Sequence, residues 1–403
     1  MATSLSSLEH EKSSYARVAA PCPYFGTCGG CSVQDLAYVD QLALKQRRLQ
    51  QAFTSIGCSL VVEVIGLEEP WRYRNKAEFT FSEVDGRLAL GYHAARSFWR
   101  VVDLDDCLLL PEPAMRAVRD LRALAAETGL PAYHPRTHQG FFRYVLVRSS
   151  QATGAVLICL ITAPGHAAEV AGLAREIMQR HPALSSVYWG VTARLADVSI
   201  PEQLIHLGGA THLEEQIGPF RLQLHPFSFL QPAGAQAHRM YSHLCHALGR
   251  QPQAVAWDLY CGLGLVGLYL ASHVQRVYGI DVEPQHLELA RLNAAANEVH
   301  NVEFHAGRVE ALLKDRRFWL QQAKPDLVVV DPPRAGLHPS VCASLLAARP
   351  RTMAYLSCNA QSLIRDLQLL CSGFPRYHLT HAQAFDMFPQ TNHVEILTWL
   401  ERA

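Results

Sequence analysis

The sequence predicts an α/β fold with a mostly parallel sheet in its C-terminal part, and three observations carry that prediction. From about residue 254, apolar runs at 254–260, 276–281, 302–306, 326–331 and 351–357 alternate with helical segments. Such alternation is the pattern of a parallel sheet covered by helices on both faces. The first run leads into Cys261-Gly262-Leu263-Gly264-Leu265-Val266-Gly267, a glycine turn of the kind that joins a strand to a ligand-binding helix. Two last runs, near 376–385 and 393–400, leave no room for a helix between them, so the final strand is expected to run antiparallel.

The preceding elements are read in order. Residues 1–21 are small and polar and are expected to form a disordered head. Residues 22–69 hold a cysteine-rich knuckle and a helix. Leu36, Val39, Leu42, Leu49 and Phe53 recur at helical spacing, with Lys45, Arg47 and Arg48 between them. Residues 70–230 are assigned to an α+β domain. Alternation through Ala77, Phe79 and Phe81, with a turn at Asp85-Gly86, marks strands over 72–104. A helix over 113–128 and strands at Tyr144–Arg148 and Ala155–Thr162 follow. Residues 231–403 form the α/β domain.

Composition narrows the function. The chain has 403 residues, 36 basic and 36 acidic side chains, and 49% hydrophobic residues. A zero net charge argues against a protein that coats nucleic acid electrostatically, yet permits a local groove. Trp71, Arg72, Tyr73, Arg74 and Lys76 mix cations with aromatics, as single-stranded nucleic-acid surfaces do; a solvated strand edge is the alternative. No run is long enough for a membrane span and no secretory signal is visible, so a cytoplasmic protein, a monomer, is expected. The 11 cysteines then point to thiolate or metal chemistry rather than to a disulfide scaffold.

The glycine turn suits a nucleotide-type cofactor. Asp281 ends the next strand and can accept hydrogen bonds from ribose hydroxyls. Gly262-x-Gly264-x-x-Gly267 fits a dinucleotide as well as S-adenosyl-L-methionine (AdoMet), so an NAD-dependent oxidoreductase remains an alternative. Asp331-Pro332-Pro333-Arg334 follows the fourth strand, and Asp331 should border the switch point of the sheet.

Two residues suggest the reaction. Cys358 lies just past an apolar run, and Glu395 starts the last one. Carbon 5 of uracil is a poor nucleophile until a thiolate adds to carbon 6. Carbon 5 can then attack a sulfonium methyl, and a base must remove its proton before the thiolate leaves. One cysteine and one base in a single pocket meet that demand.

The segments Asp331–Gly336, Tyr355–Asn359 and Phe385–Glu395, with Phe229-Leu230-Gln231 and the loop at 258–264, resemble the RNA (uracil-5-)-methyltransferase family over most of the chain from residue 22. The resemblance implies a Rossmann-like AdoMet methyltransferase domain, Cys358 as nucleophile and Glu395 as base. It places Gln231, Tyr260, Gly262, Gly264, Asp281 and Asp331 around AdoMet, with Gln231 and Asp331 also near the flipped uracil and Phe229 as its stacking platform. Ala233 departs from the family, which often has asparagine there.

Cys22, Cys28 and Cys31 stand in one short loop. Their spacing permits zinc or an iron–sulfur cluster, with Cys107 or Cys58 as fourth ligand. The resemblance favours a [4Fe–4S] cluster on Cys22, Cys28, Cys31 and Cys107, giving an N-terminal iron–sulfur knuckle. Only 21 residues precede Cys22, too few for the barrel found in one ribosomal branch. A cluster without that barrel resembles enzymes that methylate a flipped-out uridine of 23S rRNA; tRNA is the alternative substrate.

Overall fold

The computed structural model describes residues 5–315 and 323–403. Two sheets dominate it. The C-terminal sheet has the order β1-β16-β17-β15-β14-β11-β12-β13. Its centre is β11 (Gln251–Leu259), flanked in parallel by β12 (Val274–Asp281) and β14 (Leu327–Val330). Strands β13 (Val302–Ala306) and β15 (Thr352–Ser357) extend the parallel part on either side. Strand β17 (Glu395–Arg402) runs antiparallel to β15 and to β16 (Tyr377–Phe385), as the short connection requires. The topological switch therefore lies between β11 and β14, where open α/β sheets bind ligands.

Strand β1 (Val64–Ile65) adds to β16 at the sheet edge. Its chain comes from the knuckle segment, and helix α2 (Tyr38–Thr54) packs beside it. Leu49, Phe53 and Val62 share a core with Trp257, Val328 and Tyr355. Part of segment 22–69 is thus built into the C-terminal domain. The head expected to be disordered carries helix α1 (Leu5–Lys12). Buried Lys12 pairs with Asp35 at 2.8 Å, and Arg47 donates to the Glu11 carbonyl at 3.0 Å. Those long-range ties, absent from local composition, order it.

The second sheet has the order β4-β3-β2-β5-β6-β7-β8. It comprises β2 (Lys76–Val84), β3 (Arg87–His93), β4 (Val101–Asp103), β5 (Phe142–Ser149), β6 (Val156–Thr162), β7 (Leu184–Val191) and β8 (Gln203–Gly209). Helices α3 (Glu112–Glu127) and α4 (Ala167–Arg180) bury their apolar stripes with Phe79, Val145 and Ile158. A hairpin, β9 (Leu213–Ile217) and β10 (Phe220–Leu224), links the sheets. It packs on the helices Gly234–Leu248 and Pro284–Ala296. Tyr144, Leu146 and Leu157 of one sheet share a core with Ala256, Val329 and Leu397 of the other.

Candidate functional site

The glycine turn leaves the C-terminal end of β11. Tyr260, Gly262 and Gly264 all have positive φ (66°, 51° and 77°). At Gly264 a Cβ would also stand 2.7 Å from Phe304, so glycine is required twice over. Gly262 faces open space. Its N–H donates to Asp281 at 2.9 Å, as does that of Glu283. Burial opposes charge on Asp281, but His286 and these two N–H groups win and hold its carboxyl below the ordinary range. Asp258, fully buried, accepts from Gly267 N at 2.9 Å. Burial first, then the charge of Asp331, pushes it up to about 8.

Cys358 and Glu395 meet through strand register. Ser357 of β15 pairs with Ile396 of β17, so one further step sets Cys358 against Glu395. Cys358 is half-buried. Desolvation and then Glu395 raise its thiol, while the charge and hydrogen bond of Arg334 pull it down. Asn359 caps the following helix, Ala360–Ser372, by accepting from Gln361 N, and its Nδ2 donates to Arg334 O at 3.0 Å. The thiol thus sits at a helix N-terminus, beside a guanidinium whose loop that cap fixes. Both favour thiolate.

Glu395 is 3% exposed, and its Oε2 has no hydrogen-bond partner among the described residues. Burial, then Asp331, drives its carboxyl well above the ordinary range, against Arg334. Burial pushes Asp331 up to about 7. Cys358, Glu395, Asp331 and Arg334 therefore form one electrostatically coupled group, with two carboxyls that resist simultaneous ionisation.

Gln231 is 2% exposed with Oε1 unpartnered among the described residues. Its carbonyl accepts from Asn75 Nδ2 at 2.8 Å. Ala233, buried in the core, makes a strand bridge with Arg74 and offers no polar side-chain group. Phe229 is 61% exposed, open to a planar ligand. Tyr260 is partly buried and packs against the core shared by Trp257, Val328 and Tyr355. Arg334, Asp258 and Asn75 had received no role from the sequence; Arg334 was signalled by its place after Asp331-Pro332-Pro333.

Among the described residues no group of three or more His, Cys, Asp or Glu side chains is drawn to metal-holding geometry. Even so, Cys22, Cys28, Cys31 and Cys107 line one cavity with Arg74 and Tyr92. Gly30 N lies 3.4 Å from Cys28 Sγ. Cys58 is elsewhere, beside Cys371.

The family described as tRNA (uracil-5-)-methyltransferase matches residues 216–403. An RNA methyltransferase of Halalkalibacterium halodurans is 33% identical over 389 residues, 96% of this chain and 84% of the relative. The chain belongs to the RNA (uracil-5-)-methyltransferase family. An RNA methyltransferase of Enterococcus faecalis is 34% identical over 398 residues, 97% of this chain and 86% of the relative. The crystal structure of Pyrococcus abyssi tRNA (uracil-54, C5)-methyltransferase with S-adenosyl-L-homocysteine superposes with a TM-score of 0.75 at 27% identity, covering 92% of this chain and 85% of that one. Membership in this family leaves the oxidoreductase alternative without support. No helix of the described residues is long and apolar enough to cross a membrane.

Proposed function

We propose that this protein transfers a methyl group from AdoMet to carbon 5 of a flipped-out uridine in 23S rRNA, through a covalent bond between Cys358 and carbon 6. The observation that supports this most is the junction of Cys358 and Glu395 at paired strand ends, with Arg334 beside the thiol. AdoMet supplies an electrophilic methyl group. Gly262, Gly264, Asp281 and Gln231 would hold it: the turn is open at Gly262, and Gln231 offers a buried unpaired acceptor. Arg334 stabilises the Cys358 thiolate, which adds to carbon 6 and makes carbon 5 nucleophilic. After alkylation Glu395, ionised, takes the carbon-5 proton. Its raised proton affinity makes it a strong base for that step. The electrons of that C–H bond then restore the ring double bond and expel the thiolate. Phe229 would stack on the flipped base, and Asp331 would face base and cofactor from the switch point.

Incubation with AdoMet and 5-fluorouridine-containing 23S rRNA tests the chemistry, because fluorine cannot leave as a proton does. A denaturation-resistant protein–RNA adduct mapped to Cys358 is expected; its absence overturns the covalent route. A parallel arm with tRNA decides the substrate. The tRNA reading has its own support in the Pyrococcus abyssi likeness, whereas 23S rRNA rests on the cysteine set.

We further infer that Cys22, Cys28, Cys31 and Cys107 hold a [4Fe–4S] cluster. The cavity brings buried Arg74 to four thiols, and thiolates on iron would interact favourably with its charge. Anaerobic purification with metal analysis should give iron and sulfide; zinc without iron rejects the cluster.

A further inference from the structure

A cleft of about 560 Å³ opens on the central sheet, over β2, β3 and β5, between loops 94–100 and 131–140. That is within the ligand-sized range of roughly 300–1,000 Å³. Phe98 and Trp99 at its rim are 84% and 57% exposed. The Arg136 guanidinium lies over the Trp99 ring, 4.4 Å from its centroid, and that of Arg143 over Tyr133 at 4.1 Å. Arg143 is fixed from behind, donating to the carbonyls of Arg194 and Ala196 at 2.6 and 2.8 Å. Glu83 and Asp197 also line the cleft, and Asp197 accepts from the Tyr144 hydroxyl. Two carboxylates offset the two guanidinium charges, so the cleft offers stacking planes more than phosphate neutralisation.

We propose that this cleft binds unpaired nucleotides of the RNA substrate near the target uridine, their bases stacking on exposed Phe98 and Trp99 and on the exposed Arg136 guanidinium. The inference rests on the RNA-methylating reading given above. Single strands are held by aromatic and arginine planes with little regard to sequence. A protein partner would seek a broad apolar patch rather than layered rings and guanidinium groups. Loop 94–100 presents its rings on a fixed base. Ala94 N donates to Arg100 O at 2.7 Å, and Ala95 N to Thr27 O at 2.8 Å. Such preorganisation lowers the ordering cost of binding.

Strand β2 joins the cleft to the reaction site. Asn75, just before it, holds Gln231, and Thr80 reaches the cleft. Five residues at about 3.3 Å each span roughly 17 Å.

The test uses the full chain, with Phe98→Ala/Trp99→Ala and the conservative Trp99→Phe. Binding of oligouridylate 15-mers and 5-mers is measured beside AdoMet binding and the fluorouridine adduct. Loss of two stacking planes should weaken 15-mer binding tenfold or more, erasing its advantage over the 5-mer. Trp99→Phe should restore most of it, with AdoMet affinity unchanged throughout. Wild-type 15-mer affinity in the double variant overturns the proposal. So does unchanged RNA affinity with reduced methylation of ribosomal particles, which would assign the cleft to a protein. The two readings fail separately. Adduct formation with an indifferent oligonucleotide series sinks only the cleft, and a Trp99-dependent series without any adduct sinks only the covalent chemistry.

Discussion

At the residue scale, Cys358 and Glu395 are set by environments that both oppose ionisation. Desolvation raises the Cys358 thiol, and burial with Asp331 raises the Glu395 carboxyl. In the proposed reaction both act in their deprotonated forms, so raised proton affinities would move the active state toward higher pH. The single-turnover rate at saturating RNA and AdoMet should therefore rise from pH 6 to pH 9. Arg334 lowers the thiol, so Arg334→Ala should move that limb further to the alkaline side. A rate that is flat over this range would contradict these assignments. Glu395→Gln separates the steps. The methyl is delivered once, but the carbon-5 proton stays, and a covalent complex should accumulate on a denaturing gel while turnover falls by about 10²–10⁴. Cys358→Ala should yield neither adduct nor product. Full turnover by Glu395→Gln would remove Glu395 from the mechanism. The positions of the pair at strand ends were legible in the sequence. Arg334 was signalled only by its place after Asp331-Pro332-Pro333, since its effect on the thiol depends on a loop fold set by the Asn359 cap.

At the element scale, the loop carrying Glu395 is held by α2. Lys45, read as a polar position between apolar ones, is 2% exposed and pairs with fully buried Asp386 at 2.6 Å. Gln390 N accepts no freedom either: it donates to Gln41 Oε1 at 3.1 Å, with φ at +70°. Lys45→Met should cost about 3–5 kcal/mol, because it leaves Asp386 buried without its cation. Adding Asp386→Leu should recover much of that loss. Thermal unfolding of the single and double variants checks this; equal losses in both would mean that packing volume, not charge, dominates. Periodicity located α2 and the strand ends, yet it could not orient Lys45, whose partner lies 341 residues away. The same blindness affected segment 71–76. Its cations and aromatics suggested a surface, but Tyr73 is buried, Arg72 pairs with Asp106 at 2.5 Å, and Arg74 faces the cysteines. Exposed rings and an exposed guanidinium group lie instead at Phe98, Trp99 and Arg136. Strand β1, two residues long, had no local signal at all.

At the scale of the whole molecule, the knuckle touches both the aromatic loop and the loop that precedes Glu395. Gly29 N donates to His93 O at 2.9 Å, and Ala95 N to Thr27 O at 2.8 Å, tying it to the aromatic loop. Ser32 N and Val33 N donate to Gln390 O at 2.9 and 3.2 Å, five residues before Glu395. The four thiols lie between these ties, in a cavity they share with Arg74, Tyr92 and Leu109. A group bound there would brace the base-carrying loop and the stacking loop together while taking no part in methyl transfer. Cys107→Ser, purified anaerobically, should lose bound metal and raise hydrogen exchange at 93–100 and 386–394 as well as at 22–31. AdoMet affinity should stay within about twofold, because the glycine turn has its own supports in Asp281 and Phe304, while kcat falls. Exchange confined to 22–31, with kcat intact, would mean that the knuckle is a free-standing appendage and that the bracing is absent.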